Sequence, residues 1–460
     1  MTATPILTAA QMRAAEQAVF ASGVADYALM ERAGAAAAAI IWRAGGRRDT
    51  LILCGPGNNG GDGYVIARLL RERGVAVRVA ALGESRTPSS QRARAAWDGP
   101  VEDMATVAPA TQLVDALFGT GLSRGLDGVV AAHLGELTKA ASHSHAIDLP
   151  SGVETDSGAL LSAVPHFGLC IALGALKPAH LLYPAAGCFE RLITAPIGIA
   201  APDQVHRLRP PRLLAPGPDA HKYIRGLVAV VGGSMPGAAR LAARSAAASG
   251  AGMVRLCAMD GAVTGPDAII HQQAQTAADV AKALDDERIA VVLVGPGLGR
   301  DAVARDRLAA VVAAGHRLVL DADALTLLAV DAIPRGAILT PHEGEFRRLF
   351  GDLPGSKIDR ARAAAAQSGA VVIYKGADSV IAAPDGRVAV AAGASSWLST
   401  AGTGDVLAGL VAGRLAVTGD PFRAASEAVW LHGDAARRAG AAFLADDLPD
   451  ALPAAIAARL

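Results

Sequence analysis

Acidic residues and glycines recur together in this chain at the ends of apolar runs. The densest such stretch is Ala401–Gly409, AGTGDVLAG. Gly402 and Gly404 can take backbone angles closed to other residues, so the chain can wrap tightly around a ligand there. An apolar helix follows from Val406. The free N–H groups of a helix start, together with the helix dipole, favour an anion, and a phosphoryl group suits that place. Asp405 stands within reach of it as a general base for a hydroxyl. The same residue type also serves as a plain helix cap. G-x-G-D by itself leaves the two roles open.

A second group lies in the first half. Gly55–Gly63 reads GPGNNGGDG and follows the apolar run Thr50–Cys54. Gly55, Gly57 and Gly60 satisfy G-x-G-x-x-G, with Glu84 near the end of the next strand, so a simple dinucleotide site is one reading. Asn58, Asn59 and Asp62 would crowd a close-fitting pyrophosphate and look like ligands in their own right. Two further runs, Thr111–Asp115 and Ser144–Asp148, each end in a carboxylate. The first leads to the glycine loop Phe118–Gly125, FGTGLSRG, and the second to Leu149-Pro150-Ser151-Gly152. Functional groups gather at the carboxyl ends of parallel strands. Asn58, Asn59, Asp115, Gly119–Gly125, Asp148 and Ser151 should therefore share one edge. Asn59, Asp115 and Ser151 offer oxygen donors of the kind hard cations take. Asp148 remains as an acid or base.

In the second half, Lys375 follows the strand Val371–Tyr374 directly, with Gly376 beside it, and is a candidate phosphate contact. His342 reads as a helix cap or a ligand contact. Asp323 reads as the cap of a helix over Ala324–Ala329. Gly295–Gly299 is a tight turn or a place of close ligand approach. No Walker A sequence occurs, so this is not a P-loop protein.

Positioning these residues requires strands and helices in alternation, and both halves supply them. The expected fold class is α/β throughout. A chain of 460 residues accommodates two or three domains. The expected boundaries are a first domain over 1–205, a proline-rich linker over 206–220 and a second domain over 221–460. The chain is 52% hydrophobic and 19% charged, as expected of an enzyme with a large core. Lys+Arg and Asp+Glu both number 43, which argues against general affinity for nucleic acid or membrane. Four scattered cysteines without CxxC spacing fit a reducing cytoplasm. The N-terminal stretch turns polar too early for a secretory leader. The most apolar run, Ala33–Trp42, is too short to span a bilayer.

NNGGDG, VDALFGTGLSRG and AIDLPSGV, in that order, closely resemble the NAD(P)H-hydrate epimerase domain, the YjeF N-terminal domain, over roughly residues 1–205. The resemblance implies a Rossmann-like three-layer αβα fold. It implies that Asn58, Asn59, Gly60, Gly61 and Asp62, with Gly119, Thr120, Gly121, Leu122, Ser123, Arg124 and Gly125, bind the hydrated dinucleotide. It also implies that Asn59, Asp115 and Ser151 bind K⁺ and that Asp148 contacts the substrate near its reacting ring. HKYIRG, VGGS, SGAGMV, VGPGLG, LDADALTLL, TPHEGE, YKGADSV and AGTGDVLAG together resemble the ADP/ATP-dependent NAD(P)H-hydrate dehydratase domain, which is ribokinase-like, over about residues 215–455. By that resemblance Lys375, Gly376, Ala377, Asp378, Ser379 and Gly404 bind the adenine nucleotide, and Ala251, Gly297, His342 and Asp405 contact the substrate. Two features depart from the family: Glu343 stands where proline usually follows TPH, and Ser395–Leu398 precedes the AGTGD loop.

The two halves make chemical sense together as a metabolite-repair enzyme, an isomerase joined to a lyase. Hydroxide is a poor leaving group, so dehydrating the hydrate is slow without activation. Asp405 would take the proton from the hydrate's hydroxyl as that oxygen attacks the terminal phosphoryl of ADP or ATP, with Mg²⁺ present. Asp148 is the candidate acid/base of epimerisation. The resemblance further implies a homo-oligomer and a lean towards ADP. The competing enzyme reading is a ribokinase-like small-molecule kinase fused to a dinucleotide-binding module. A non-catalytic ligand-binding first half is the reading from another class.

Overall fold

The computed structural model describes residues 4–202, 204–260 and 265–460. The chain forms two units, Met1–Arg207 and Leu208–Leu460.

Among the described residues the first unit is built on a seven-stranded sheet: β1 Thr50–Cys54, β2 Val77–Ala81, β3 Val101–Asp103, β4 Gln112–Ala116, β5 His143–Ile147, β6 Phe167–Leu173 and β7 Phe189–Ala195. They pair in parallel in the order β3-β2-β1-β4-β5-β6-β7. Every residue of β1 and β4 is buried, as a sheet covered on both faces requires. Alternate residues of β1 serve different cores. Ile52 and Cys54 pack with Ile41 and Ile66, from the helices Asp26–Gly45 and Asn58–Glu72. Leu51 and Leu53 pack with Leu134 and Leu137 of the helix Gly128–Ala140. That is the three-layer arrangement. The strand order turns back between β1 and β4, which opens a crevice at their carboxyl ends.

One expectation is corrected here. Asn58–Gly63 is helical rather than loop: it forms the first turns of Asn58–Glu72, which begins after Gly57. The glycines serve close packing. A Cβ on Gly60 would stand 1.8 Å from the Gly55 carbonyl oxygen, and one on Gly63 would stand 2.8 Å from Cys54 Sγ. The helix start can press against the end of β1 only without those side chains.

Among the described residues the second unit carries nine strands. In spatial order the first seven are Ile269–Gln273, Met253–Ala258, Leu227–Val231, Ile289–Val294, Leu318–Leu320, Ile338–Leu339 and Val371–Tyr374, all parallel. Val380–Ala382 and Val388–Val390 continue the sheet antiparallel. The order turns back between Leu227–Val231 and Ile289–Val294. Gly232-Gly233-Ser234 and Gly295–Gly299 follow those two strands directly. The helix Thr403–Thr418 lies against Pro236–Ala248 through small residues. A Cβ on Gly409 would come within 2.0 Å of the Ala242 carbonyl oxygen. The wealth of alanine and glycine, with only 4% aromatics, is spent on such near-backbone contacts.

All four cysteines are buried and free. Among the described residues no helix is long and apolar enough to cross a membrane.

Candidate functional site

In the first unit a cavity of about 650 Å³ opens at the carboxyl ends of β1 and β4. Its lining includes Asn58, Asn59, Asp62, Gly119–Arg124 and Asp148, so most of the expected substrate residues face one space. Gly60 and Gly61 are buried beneath it in the helix, and Gly125 packs against the Leu161 carbonyl.

Asp148 follows β5 in a left-handed conformation, φ 64°, which is strained for a residue with a side chain. Its buried carboxylate is held on both oxygens. Oδ1 accepts the Leu173 N–H at 3.2 Å and is ion-paired with Lys177; Oδ2 accepts the Thr120 N–H at 3.2 Å. Burial pushes its pKa up, but the Lys177 charge and hydrogen bond outweigh that and keep the carboxyl below its usual range. Lys177 is itself buried and also donates to the Leu173 carbonyl at 2.8 Å. Sequence reasoning missed Lys177. A lone lysine in GALKPAH carries no spacing signal, and only the fold brings it to Asp148.

Asp115 and Ser151 form one fastening. Asp115 Oδ1 accepts the Ser151 hydroxyl at 2.7 Å and the Leu117 N–H at 3.1 Å, and Oδ2 accepts the Ser151 N–H at 2.9 Å. The Ser151 hydroxyl accepts the Phe118 N–H at 3.0 Å. Asn59 Oδ1 lies near the adjoining Gly119, 3.1 Å from where its Cβ would be. The three residues fit a cation. Asp115 is fully buried and burial raises its pKa, with no positive group offsetting it. The buried Asn59 Nδ2 has no hydrogen-bond partner; turning the amide would present its oxygen there. Among the described residues no group of three or more His, Cys, Asp or Glu is arranged for a metal ion. An ion suited to this set takes carboxylate, hydroxyl and amide oxygens.

In the second unit Asp405 sits in the first turn of Thr403–Thr418. The helix is capped by Gly402, left-handed at φ 91°, without any side-chain cap bond. The cap role left open by the sequence is therefore not the one Asp405 fills. Burial, then the charges of Asp321, Asp323 and Glu345, raise its pKa to about 6 against the pull of Lys375. Lys375 Nζ donates to Asp321 Oδ1 at 3.0 Å and stands 3.9 Å from Glu345. It stands 3.5 Å from where a Cβ on Gly404 would be. Thr340 donates to the same Asp321 oxygen at 2.6 Å. These acids leave excess negative charge at Asp405.

The neighbouring residues fall as follows. His342 caps Glu343–Phe350, accepting the Gly344 N–H at 3.0 Å, and its ring is exposed. Gly297, φ 64°, lies against the Met235 carbonyl. Asp378 is buried and paired with Lys357 at 2.6 Å, while Gly376 N–H donates to Ser379 Oγ at 3.3 Å, so the Lys375–Ser379 loop is internally tied. Glu343 pairs with Arg360 at 3.0 Å and accepts the Tyr374 hydroxyl, joining the first helix after TPH to the strand that ends at Lys375. Trp397 is half exposed beside the AGTGD turn.

Two expectations are corrected. The helix assigned to Ala324–Ala329 is Ala322–Leu327, with Asp321 at its cap position, so Asp323 is not its cap. Asp323 instead accepts the Gly299 N–H at 3.0 Å and pairs with Arg300 at 2.7 Å. Ala251 is not brought to this edge. It precedes Met253–Ala258, at the amino end of the sheet. The adjoining Ser249 carbonyl accepts from Arg414 at 3.0 Å. Arg414 lies nine residues beyond Asp405 in the same helix, roughly 13 Å at 1.5 Å per residue. His432 is a further residue that sequence reasoning missed. It is buried, bonded to the Thr403 backbone, and its Nε2 has no partner.

Comparison with known proteins covers both units. A family model described as NAD(P)H-hydrate dehydratase matches residues 228–457. Another, described as YjeF-related protein N-terminus, matches residues 26–179. Over 546 aligned residues the chain is 35% identical to the bifunctional NAD(P)H-hydrate repair enzyme Nnr of Salinibacter ruber, covering 99% of this chain and 96% of that protein. It is 36% identical over 477 residues to the protein of the same name from Gloeobacter violaceus, covering 94% and 92%. Among solved structures, an ADP/ATP-dependent NAD(P)H-hydrate dehydratase from Bacillus subtilis, co-crystallised with ATP and Mg²⁺, is 28% identical. It covers 54% of this chain and 95% of that one, with a TM-score of 0.47.

Proposed function

The chain belongs to the family of bifunctional NAD(P)H-hydrate repair enzymes, and from that premise we propose how its residues divide the work. The enzyme interconverts the R and S hydrates of NADH and NADPH and dehydrates the S hydrate to the reduced dinucleotide at the expense of ADP or ATP. Epimerisation belongs to the cavity of the first unit, and dehydration to the edge of the second where Lys375 and Asp405 meet.

The observation that carries the second assignment is Asp405: a carboxyl in a helix's first turn, free of any cap bond, with its pKa raised to about 6. A base of that strength takes a proton from a hydroxyl near neutral pH. The hydrate's oxygen then attacks the terminal phosphoryl of the nucleotide. Lys375, with the N–H groups after Gly402, holds the charge that develops. The new C–O–P linkage loses phosphate, the ring nitrogen's electron pair assists, and loss of a ring C–H proton restores the double bond. Lys375, Gly376, Ala377, Asp378, Ser379 and Gly404 hold the nucleotide; Gly297, His342 and Asp405 contact the hydrate. Mg²⁺, when bound with the nucleotide, would neutralise phosphoryl oxygens.

In the first unit Asn58–Asp62 and Gly119–Gly125 receive the dinucleotide, and Asp148 faces its reacting ring. K⁺ is the cation for Asn59, Asp115 and Ser151, where it would order the loops after β1, β4 and β5. The enzyme works in the cytoplasm, a location supported by its four free, buried cysteines. It assembles as a homo-oligomer, as the family resemblance implies.

The test is recovery of reduced-nicotinamide absorbance from a mixture of both hydrate epimers with ADP or ATP and Mg²⁺. Full recovery is expected. Recovery of the S fraction alone would remove epimerisation from the first unit. Accumulation of a stable phosphorylated product would point to a kinase.

A further inference from the structure

The cavity of the first unit holds more acid than a substrate pocket with one acid/base needs. Asp62, Asp148 and Glu16 line it with Lys177, and the exposed Asp26, which accepts the Tyr27 N–H, stands at its rim. Their surroundings differ. Asp148 is ion-paired, hydrogen-bonded on both oxygens and fixed by its backbone. Glu16 projects from Ala9–Ala21 at the half-buried mouth, with Arg13 nearby. Asp62 is 7% exposed on the second turn of Asn58–Glu72, and no hydrogen bond from a described residue reaches its carboxyl.

We propose that Asp62 is the catalytic proton donor of epimerisation, and that Asp148, locked to Lys177, stays a carboxylate that steadies the positive charge formed on the substrate ring. The inference rests on the assignment of epimerisation to this cavity and goes beyond it by dividing the chemistry between two carboxylates.

The substrate's chemistry asks for such a division. Hydration of the ring's enamine places the hydroxyl on the carbon next to the ring nitrogen. Inverting that carbon requires one of its bonds to break. When the C–O bond breaks, the nitrogen's electron pair forms C=N⁺, the Asp62 proton goes to the departing oxygen, and water is released. Water then adds to the opposite face, the C=N⁺ pair returns to nitrogen, and the proton lost by that water restores Asp62. Atoms and charges balance without a co-reactant. The cation that forms needs a fixed negative charge beside it, and Asp148 supplies one. The donor must be a neutral acid. Burial, then the charges of Asp148 and Glu16, push the Asp62 pKa well up despite Lys177, while Lys177 brings that of Asp148 down. Two carboxyls whose environments separate them in this way divide as acid and anion.

The experiment uses the full-length chain with K⁺ present, the R hydrate as substrate and H₂¹⁸O as solvent. Asp62→Asn is expected to lower kcat for epimerisation by at least about 100-fold, with S-hydrate dehydration in the other unit unchanged. Glu16→Gln is expected to keep a rate within about tenfold of wild type. Asp62→Glu, which keeps an acid in the cavity, is expected to retain more activity than Asp62→Asn, so the comparison stands if one variant folds poorly. Wild-type epimerisation should place ¹⁸O in the product hydroxyl. Asp62→Asn within tenfold of wild type would overturn the assignment, and so would retention of the original oxygen. A wild-type chain that dehydrates the S hydrate but never converts R to S would instead overturn the reading of the first unit.

Discussion

The Lys375 ammonium lies 3.0 Å from the buried carboxylate of Asp321, and its charge also acts on Asp405. One lysine thus faces three acids, Asp321, Glu345 and Asp405, and the first and last carry different loads. Asp321 takes its hydrogen bond; Asp405 keeps a carboxyl free for substrate. Converting Lys375 to Met would leave Asp321 buried and uncompensated and remove a donor from the expected phosphoryl position. The expected result is a rise of at least tenfold in KM for ADP or ATP, with a drop in kcat, while epimerisation is unchanged. Steady-state kinetics of both reactions on one preparation checks this.

Asp405→Asn should lower dehydration by about 10²–10⁴-fold and leave epimerisation intact. The pH dependence follows from its pKa of about 6. Only the deprotonated form accepts a proton, so wild-type kcat/KM should fall about tenfold per pH unit below 6. Stability should move the other way. The folded chain holds this proton between the ordinary carboxyl range and pH 6, where the unfolded chain has released it. The group therefore loses stability as pH rises through that window. Asp405→Asn should melt higher than wild type at pH 8 and gain much less at pH 4. Thermal melts at the two pH values decide it.

Lys177→Met should cost the first unit about 3–5 kcal/mol, because it leaves the Asp148 charge buried without a partner. Adding Asp148→Asn should recover much of that stability without restoring epimerisation. The stabilising effect of the pair in the wild type requires ionised Asp148. It should be present above the ordinary carboxyl pKa and lost as pH falls through the lowered folded value. Denaturant unfolding of the single and double variants tests both statements.

Gly60→Ala would place a Cβ 1.8 Å from the Gly55 carbonyl oxygen. The backbone on either side must move, at a cost of about 1–3 kcal/mol or more. Epimerisation should be lost with dehydration retained, because the two reactions sit in separate units. An epimerisation assay beside an S-hydrate assay reads this directly.

Replacing K⁺ by a large organic cation should slow epimerisation and leave the nucleotide-dependent step unaffected. Ser151→Ala should do the same at saturating K⁺, since it removes a donor and loosens Phe118 and Asp115 together. A titration of epimerisation rate against K⁺ concentration is the measurement.

The sequence by itself determined the α/β class, the linking of two units and the sheet edge at which most of the candidate residues gather. Those properties are local. Apolar runs ending in glycine and a carboxylate specify strand, turn and acid without reference to the rest of the chain, and parallel pairing then puts their ends together. The placing of Asn59, Asp115, Asp148 and Lys375 at or just beyond strand ends, and of Asp405 in the first turn of a helix, was legible in that way. What only the tertiary structure decided depended on distant partners. Asn58–Gly63 is helix, and it packs on the end of β1 too closely for a Cβ at Gly60 or Gly63. Asp323 turns from a cap to Arg300 because a loop 23 residues earlier in the chain comes beside it. Lys177 reaches Asp148 across 29 residues. Ala251 lies at the amino end of its strand, away from Asp405. The charge state of each acid was likewise undecided by its own neighbours in sequence: burial and one cation brought close by the fold hold Asp148 ionised, and burial among other acids raises Asp405 and Asp62.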